Sequence, residues 1–226
     1  MSTEATVVAL DVDGTLFDGA GVDSRAVEAV HAAHDAGHVI LIVTGRPWRD
    51  LSLVIPDVLP AISVAVCEHG ALLVDPTTER VANLAPPVDR TIASQIIAGG
   101  AETVEVFEAT LGLSVREIEI AEAVCSVPGS GCYVVTNKES IAVVPDGCDK
   151  GTGLERAIAH LALDGHRVIA IGDATNDLPM FARADIAVAV ANAEPALVAT
   201  GVEVTEGAVG AGVAEALSRY LDLSIV

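Results

Sequence analysis

An apolar run ends in two acids one residue apart in TVVALDVDGTLFDG: Asp11 and Asp13, followed at once by Gly14. On a strand, residues two apart point to the same side, so the two carboxylates converge, and a glycine lets the chain turn directly behind them. Two carboxylates held together in a partly dry place repel unless a cation or a shared proton intervenes, and a hard, oxygen-ligated ion such as Mg²⁺ meets that need. A calcium-binding loop does not fit, because its fifth and twelfth positions would fall on Thr15 and Val22. Three more stretches carry groups of matching chemistry. LIVTGRP offers the Thr44 hydroxyl with Gly45 and Arg46, just ahead of Pro47, which suits a first helical turn and so puts free backbone amides at a phosphate-binding corner. CDKGTGL places Lys150 before a helix start, and IAIGDATNDLPMF puts Asp173 and Asp177 in the loop after a late strand. Singly, each residue is a common cap or turn residue; their succession carries the weight.

The elements that must position these groups alternate. Strand-like runs at 7–10, 39–43 and 62–67 are separated by a helical pattern over 24–36 and a helix opening near Pro47. The alternation returns with a helix over 151–163, strands at 168–171 and 186–190, a short helix near Pro179 and a last helix over 209–221. This predicts an α/β fold, a doubly wound parallel sheet with helices on both faces, and the acids then leave strands at the carboxyl edge where such sheets bind ligands. Residues 78–146 break the pattern. They read as an inserted small α+β domain, with helices at 89–98 and 104–111 and strands at 113–118, 132–136 and 141–144, so that 1–77 and 147–226 form the core. Hinges are expected near 76–78 and 145–147.

Bulk properties exclude several classes of partner. A net charge of −20 over 226 residues repels phosphate backbones and anionic lipid, so neither nucleic acid nor membrane is expected as a partner. No uncharged apolar stretch approaches the length of a membrane span, and no basic residue precedes the first apolar run, so a cytoplasmic location is expected. Four cysteines without zinc spacing read as ordinary thiols. Lysine occurs twice, at Lys138 and Lys150, which makes Lys150 conspicuous in its context. A helical metal face made of His31, His34 and His38 has little support, because Gly37 ends the helix before His38.

Taken in order, DVDGTL, VTGR, Lys150 and GDATND resemble the four motifs of the haloacid dehalogenase-like (HAD) hydrolase superfamily. The position of the insert is similar to that of the type IIB cap of Cof-like phosphatases, and at this length the chain looks most like archaeal-type phosphoglycolate phosphatases and sugar-phosphate phosphatases. The resemblance implies a Mg²⁺-dependent phosphatase acting on a small phosphate ester, with a homodimer left open. Asp11 would attack phosphorus and Asp13 would serve as acid and then base. The metal would be held by Asp11, the Asp13 backbone carbonyl, Asp173 and, directly or through water, Asp177. Thr44, Gly45, Arg46 and Lys150 would bind the phosphoryl group or substrate, and Asn176 would orient the acidic loop. In CEHGALL this chain has His69 where relatives usually read Asn. The cap cations Arg80, Arg90, Arg116 and Lys138 are candidate substrate contacts. Two alternatives remain: a phosphomutase on the same fold, and a receiver-like phospho-accepting domain, which would take its phosphoacceptor from a later strand.

Overall fold

The computed structural model describes residues 5–137, 140–221 and 223. The first half of the core runs β1 (Val7–Leu10), α1 (Ser24–Asp35), β2 (Val39–Val43), α2 (Trp48–Val54), β3 (Val64–Cys67), β4 (Leu72–Val74) and β5 (Val81–Asn83). The inserted region follows as α3 (Arg90–Ala98), β6 (Glu105–Val106), β7 (Leu111–Ser114), α4 (Ile118–Cys125), β8 (Cys132–Asn137) and β9 (Ser140–Pro145). The core resumes with α5 (Lys150–His160), β10 (Val168–Gly172), α6 (Leu178–Phe181), β11 (Ile186–Ala189), α7 (Pro195–Val198), β12 (Glu203–Val204) and α8 (Val209–Tyr220).

The larger sheet has the order β12-β11-β10-β1-β2-β3-β4-β5. It is parallel from β12 to β3 and ends in the antiparallel pair β4 and β5. β1 is buried throughout because both faces of the sheet are covered. Val8 and Leu10 face the core shared with α1 and α8, while Val7 and Ala9 face the one shared with α5 and α6. The parallel register Leu10 to Ile171 and Leu10 to Ile42 makes β1, β2 and β10 end together, so the residues that follow them gather at one edge.

The insert has a four-stranded antiparallel sheet, β6-β7-β9-β8, and an apolar core of its own from Val88 to Val143. Three expectations change. The chain does not leave the larger sheet at residue 78, because 75–80 is a tight hairpin turn in which Asp75 accepts from the Thr77 and Thr78 amides, and β5 still pairs with β4. No helix forms over 104–111; β6 and a loop stand there. The strand expected at 113–118 ends at Ser114, whose side chain and that of Glu117 cap the turn leading into α4.

Candidate active site

The ends of β1, β2 and β10 and the start of α5 enclose a small polar cavity lined by Asp11, Asp13, Thr44, Gly45, Lys150, Asp173, Ala174 and Asn176. Residues from four distant stretches of sequence are thus brought to one place. Lys150 sits in the first turn of α5, which Asp149 caps by accepting from the Thr152 amide at 2.7 Å. Its ammonium is buried and donates to Asp11 Oδ1 and to Asp177 Oδ1, each at 2.6 Å. Burial works against the charged lysine, but the two carboxylates outweigh it and hold its pKa above the ordinary value. Asp11 lies the other way: burial raises its carboxyl to about 6, with Lys150 offsetting part of the rise.

Asp177 accepts on both oxygens, since its Oδ2 also takes the Asp173 and Ala174 amides at 3.0 Å. It therefore anchors Lys150 and shapes the acidic loop. Asp177 and Glu194, which accepts from the Thr175 amide, hold backbone amides of the acidic loop, while Asn176 lines the cavity and its Oδ1 is buried with no hydrogen-bond partner among the described residues. Asp13 is half-exposed and gripped by the Arg46 guanidinium, which donates through Nε at 2.7 Å and a terminal nitrogen at 2.6 Å. Arg46 in turn lies 5.5 Å from the Phe17 ring. The free amides expected beside Thr44 are reduced by one, because Arg46 N–H donates to Thr44 Oγ1 at 3.1 Å, and the helix starts at Trp48, with Pro47 preceding its first turn.

Carboxylate oxygens of Asp11, Asp173 and Asp177 lie within 4.8 Å of one another, all buried, which makes this a cluster able to hold a metal ion. No such cluster forms from the α1 histidines. His38 lies beyond the helix and accepts from the Thr6 amide, and His31 meets the Asp57 carbonyl.

Several residues that shape the site escaped the motif reading. Thr15 reaches Asp173 Oδ1 at 3.4 Å, and its place directly after Asp13-Gly14 was a usable signal. Asn192 donates to the Gly14 carbonyl and accepts from the Val209 amide, with nothing in its neighbourhood to mark it. Beside the polar cavity, under the insert, lies a chamber of about 680 Å³ lined by core residues Asp13, Arg46 and His69 and by insert residues including Thr103, Glu105 and Ser114. Among the expected cap cations, Arg80, Arg90 and Arg116 do not line it, and Lys138 lies outside the described residues.

A family model for haloacid dehalogenase-like hydrolases matches residues 8–103 and 116–217. Among curated proteins, a phosphoglycolate phosphatase of Methanothermobacter thermautotrophicus is 29% identical over 95% of this chain and 98% of its own. A solved structure from Thermoplasma acidophilum superposes with a TM-score of 0.79 at 17% identity, covering 96% of this chain and 98% of that one. A sugar phosphatase of HAD subclass IIB superposes with a TM-score of 0.75 at 21% identity, over 96% and 99%. Among the described residues no helix is long and apolar enough to cross a membrane. With the family model covering most of the chain, this protein belongs to the haloacid dehalogenase-like hydrolases.

Proposed function

We propose that this hydrolase is a Mg²⁺-dependent phosphatase that cleaves small phosphate monoesters through an aspartyl-phosphate on Asp11. The observation that carries the reading is the convergence of Asp11, Asp13, Thr44, Lys150 and Asp173 on one cavity at the carboxyl edge of the sheet, with Lys150 held at 2.6 Å from Asp11.

The residues fit a divalent cation. Three buried carboxylates, Asp11, Asp173 and Asp177, bring ligand oxygens within 4.8 Å of one another, and Lys150 reaches two of them. The unpartnered Asn176 Oδ1 is a further polar atom waiting for a donor such as metal-bound water. Asp11, Asp173 and the Asp13 carbonyl would hold the ion, with Asp177, whose two oxygens are already engaged, reaching it through water. When bound, Mg²⁺ would screen the phosphate from the carboxylates.

The chain's own groups supply the rest. An Asp11 oxygen attacks phosphorus, the ester P–O bond breaks, and the leaving oxygen takes a proton from Asp13, which would act in its protonated form, with the Arg46 pair loosened as substrate binds. Asp13 then takes a proton from water as that water attacks the phosphoaspartate, and inorganic phosphate leaves. The Lys150 ammonium and the Thr44 hydroxyl stabilise the negative oxygens of the group in transfer. The insert, over roughly 78–146 in the sequence reading and from about residue 84 by sheet membership, acts as a cap that excludes water and contacts the leaving group. The names of the relatives put 2-phosphoglycolate and sugar phosphates among the candidate substrates. The proposed setting is the cytoplasm, and a homodimer is compatible with the reading.

Repeated release of phosphate from p-nitrophenyl phosphate with Mg²⁺ tests this reading. A phosphomutase would release none from sugar esters, and a receiver domain would stop after one transfer. Activity unchanged in excess chelator, or Asp11→Asn retaining more than about a thousandth of the rate, would refute it.

A further inference from the structure

The chamber under the insert has an unusual lining for an enzyme whose relatives are named for a carboxylated substrate. Among the described residues that line it the one cation is Arg46, and both arms of its fork are committed to Asp13. Apart from Asp13 itself, the rest of the polar lining is hydroxyls, a carboxylate and an imidazole: Thr103, Thr110, Ser114, Ser140, Glu105 and His69. Arg49 approaches Glu105 at 3.9 Å from outside the lining and stacks 5.2 Å from Phe107.

His69 is the central member. Its backbone is left-handed, with φ 56° and ψ 32°, an uncommon setting for a side chain of this size. The loop is pinned there by the Glu68 amide on the Arg46 carbonyl and the His69 amide on the Thr44 carbonyl. The imidazole packs against Gly45, where a Cβ would come within 2.5 Å of the ring. His69 is 94% buried, it lines both the chamber and a second cavity beside Lys150 and Asn176, and its ring nitrogens have no hydrogen-bond partner among the described residues. Burial first, and then the neighbouring Lys150 ammonium, push its pKa down to about 3. The ring is thus neutral near pH 7, with one N–H donor and one bare acceptor.

We propose that His69 is a specificity-determining residue that hydrogen-bonds a hydroxyl of the leaving group, and that the group selected is an uncharged polyol or sugar in place of a carboxylate. This rests on the phosphatase reading above. A hydroxyl both donates and accepts, matching a neutral imidazole and a wall of hydroxyls. A carboxylate in this chamber would face Glu105 and Asp13, with no uncommitted cation among the described residues that line it, and desolvating it there is costly. Size argues the same way, since a chamber of about 680 Å³ leaves most of its volume unfilled around a two-carbon glycolate.

The test is steady-state kinetics with Mg²⁺ on ribitol 5-phosphate, glucose 6-phosphate, 2-phosphoglycolate and p-nitrophenyl phosphate, for the wild type, His69→Gly and His69→Asn. The wild type is expected to favour at least one polyol ester over 2-phosphoglycolate by about tenfold or more in kcat/KM. His69→Gly, which keeps the left-handed backbone comfortable, is expected to raise KM for that ester about tenfold more than KM for p-nitrophenyl phosphate. His69→Asn keeps a donor, an acceptor and tolerance of this backbone, and is expected to recover most of the loss. A wild type that prefers 2-phosphoglycolate, or a His69→Gly variant that shifts all substrates equally, overturns the proposal. If p-nitrophenyl phosphate itself is not hydrolysed, the phosphatase reading falls and this inference with it.

Discussion

Glu68 is the residue whose replacement tells most about how the insert is held over the site. It leaves β3 at the edge of the catalytic cavity, is 1% exposed, and points its carboxylate at the loop between β6 and β7 of the insert. There Oε2 accepts from the Ala109 amide at 2.8 Å, the Thr110 amide at 2.9 Å and the Thr110 hydroxyl at 2.9 Å, while Oε1 accepts from the Glu108 amide at 3.2 Å. One carboxylate therefore satisfies three consecutive backbone donors some forty residues away. Glu68→Ala leaves the Ala109 and Thr110 amides buried without partners, and at about 1–3 kcal/mol for each stranded donor the loss is about 2–6 kcal/mol, with the lower half applying where water enters the vacated space. Glu68→Gln keeps one acceptor oxygen but turns an NH₂ group toward an amide donor, so about 1–2 kcal/mol is expected.

Urea unfolding gives the global change, and hydrogen exchange at Ala109 and Thr110 gives the local one. Loss of 3 kcal/mol in the local opening free energy would speed exchange there about a hundredfold, at about 1.4 kcal/mol per factor of ten. Because the same loop brings Thr110 to the chamber wall, KM should rise more than kcat falls. If Glu68→Ala unfolds within about 0.5 kcal/mol of the wild type and exchange at both amides is unchanged, the carboxylate does not hold the insert to the core.

Two other outcomes follow from the buried charges. The unfolded chain protonates His69 near its ordinary value of 6.5, whereas the folded chain resists until about 3, so the folded form loses stability as pH falls through this window. At pH 5 the contribution is about 1.36 × 1.5, or about 2 kcal/mol, less whatever local relaxation recovers. Asp11, raised to about 6, acts in the opposite sense between 6 and 3.8, so the measurement is the difference in urea stability between wild type and His69→Asn at pH 7.5 and at pH 5. A wild-type protein that gains stability relative to the variant on acidification would contradict the burial argument. Lys150→Met strands Asp11 and Asp177 against each other, and a loss of about 3 kcal/mol in chelator is expected, with kcat down about a hundredfold or more when Mg²⁺ is restored. Thermal melts and phosphate release read the two effects, and a variant as stable and as active as wild type would remove Lys150 from the site's charge balance.

The core was legible because its signals are local. β1, β2 and β10 are buried on both faces, so each reads as a short unbroken apolar run, and the functional residues follow those runs directly. The insert was harder for identifiable reasons. Residues 104–111 place Val104, Phe107 and Leu111 at helical spacing, yet three successive amides of that stretch are taken by Glu68, and a helix would withdraw them into its own ladder. At 114–117 the sequence Ser-Val-Arg-Glu does spell a capping box, which announces the turn before α4, and the β-branched residues around it masked that signal. In the hairpin of β4 and β5, β4 is a buried run of only three residues and β5 is exposed throughout, so β5 lacks the buried run that marked the parallel strands.

The same distinction between local and distant signals explains how the site divides its labour. Groups proposed to touch phosphorus or metal lie within three residues of a strand end or in a helix's first turn, where the short motif suffices. Groups proposed to govern the leaving group depend on contacts between segments far apart in sequence. His69 is held over Gly45 because Thr44 and Arg46 lend their carbonyls to the 68–69 amides, and because Gly70, with φ 95°, lets the loop press against Asp149, where a Cβ would meet the carbonyl at 2.1 Å. Glu68, next to it, reaches the insert. One tight loop thus joins the Thr44 corner, the start of α5 and the insert, so a change at 68–70 is expected to act on positioning and selectivity together, while a change at Asp11 is expected to act on the proposed chemistry and on the Lys150 ion pair.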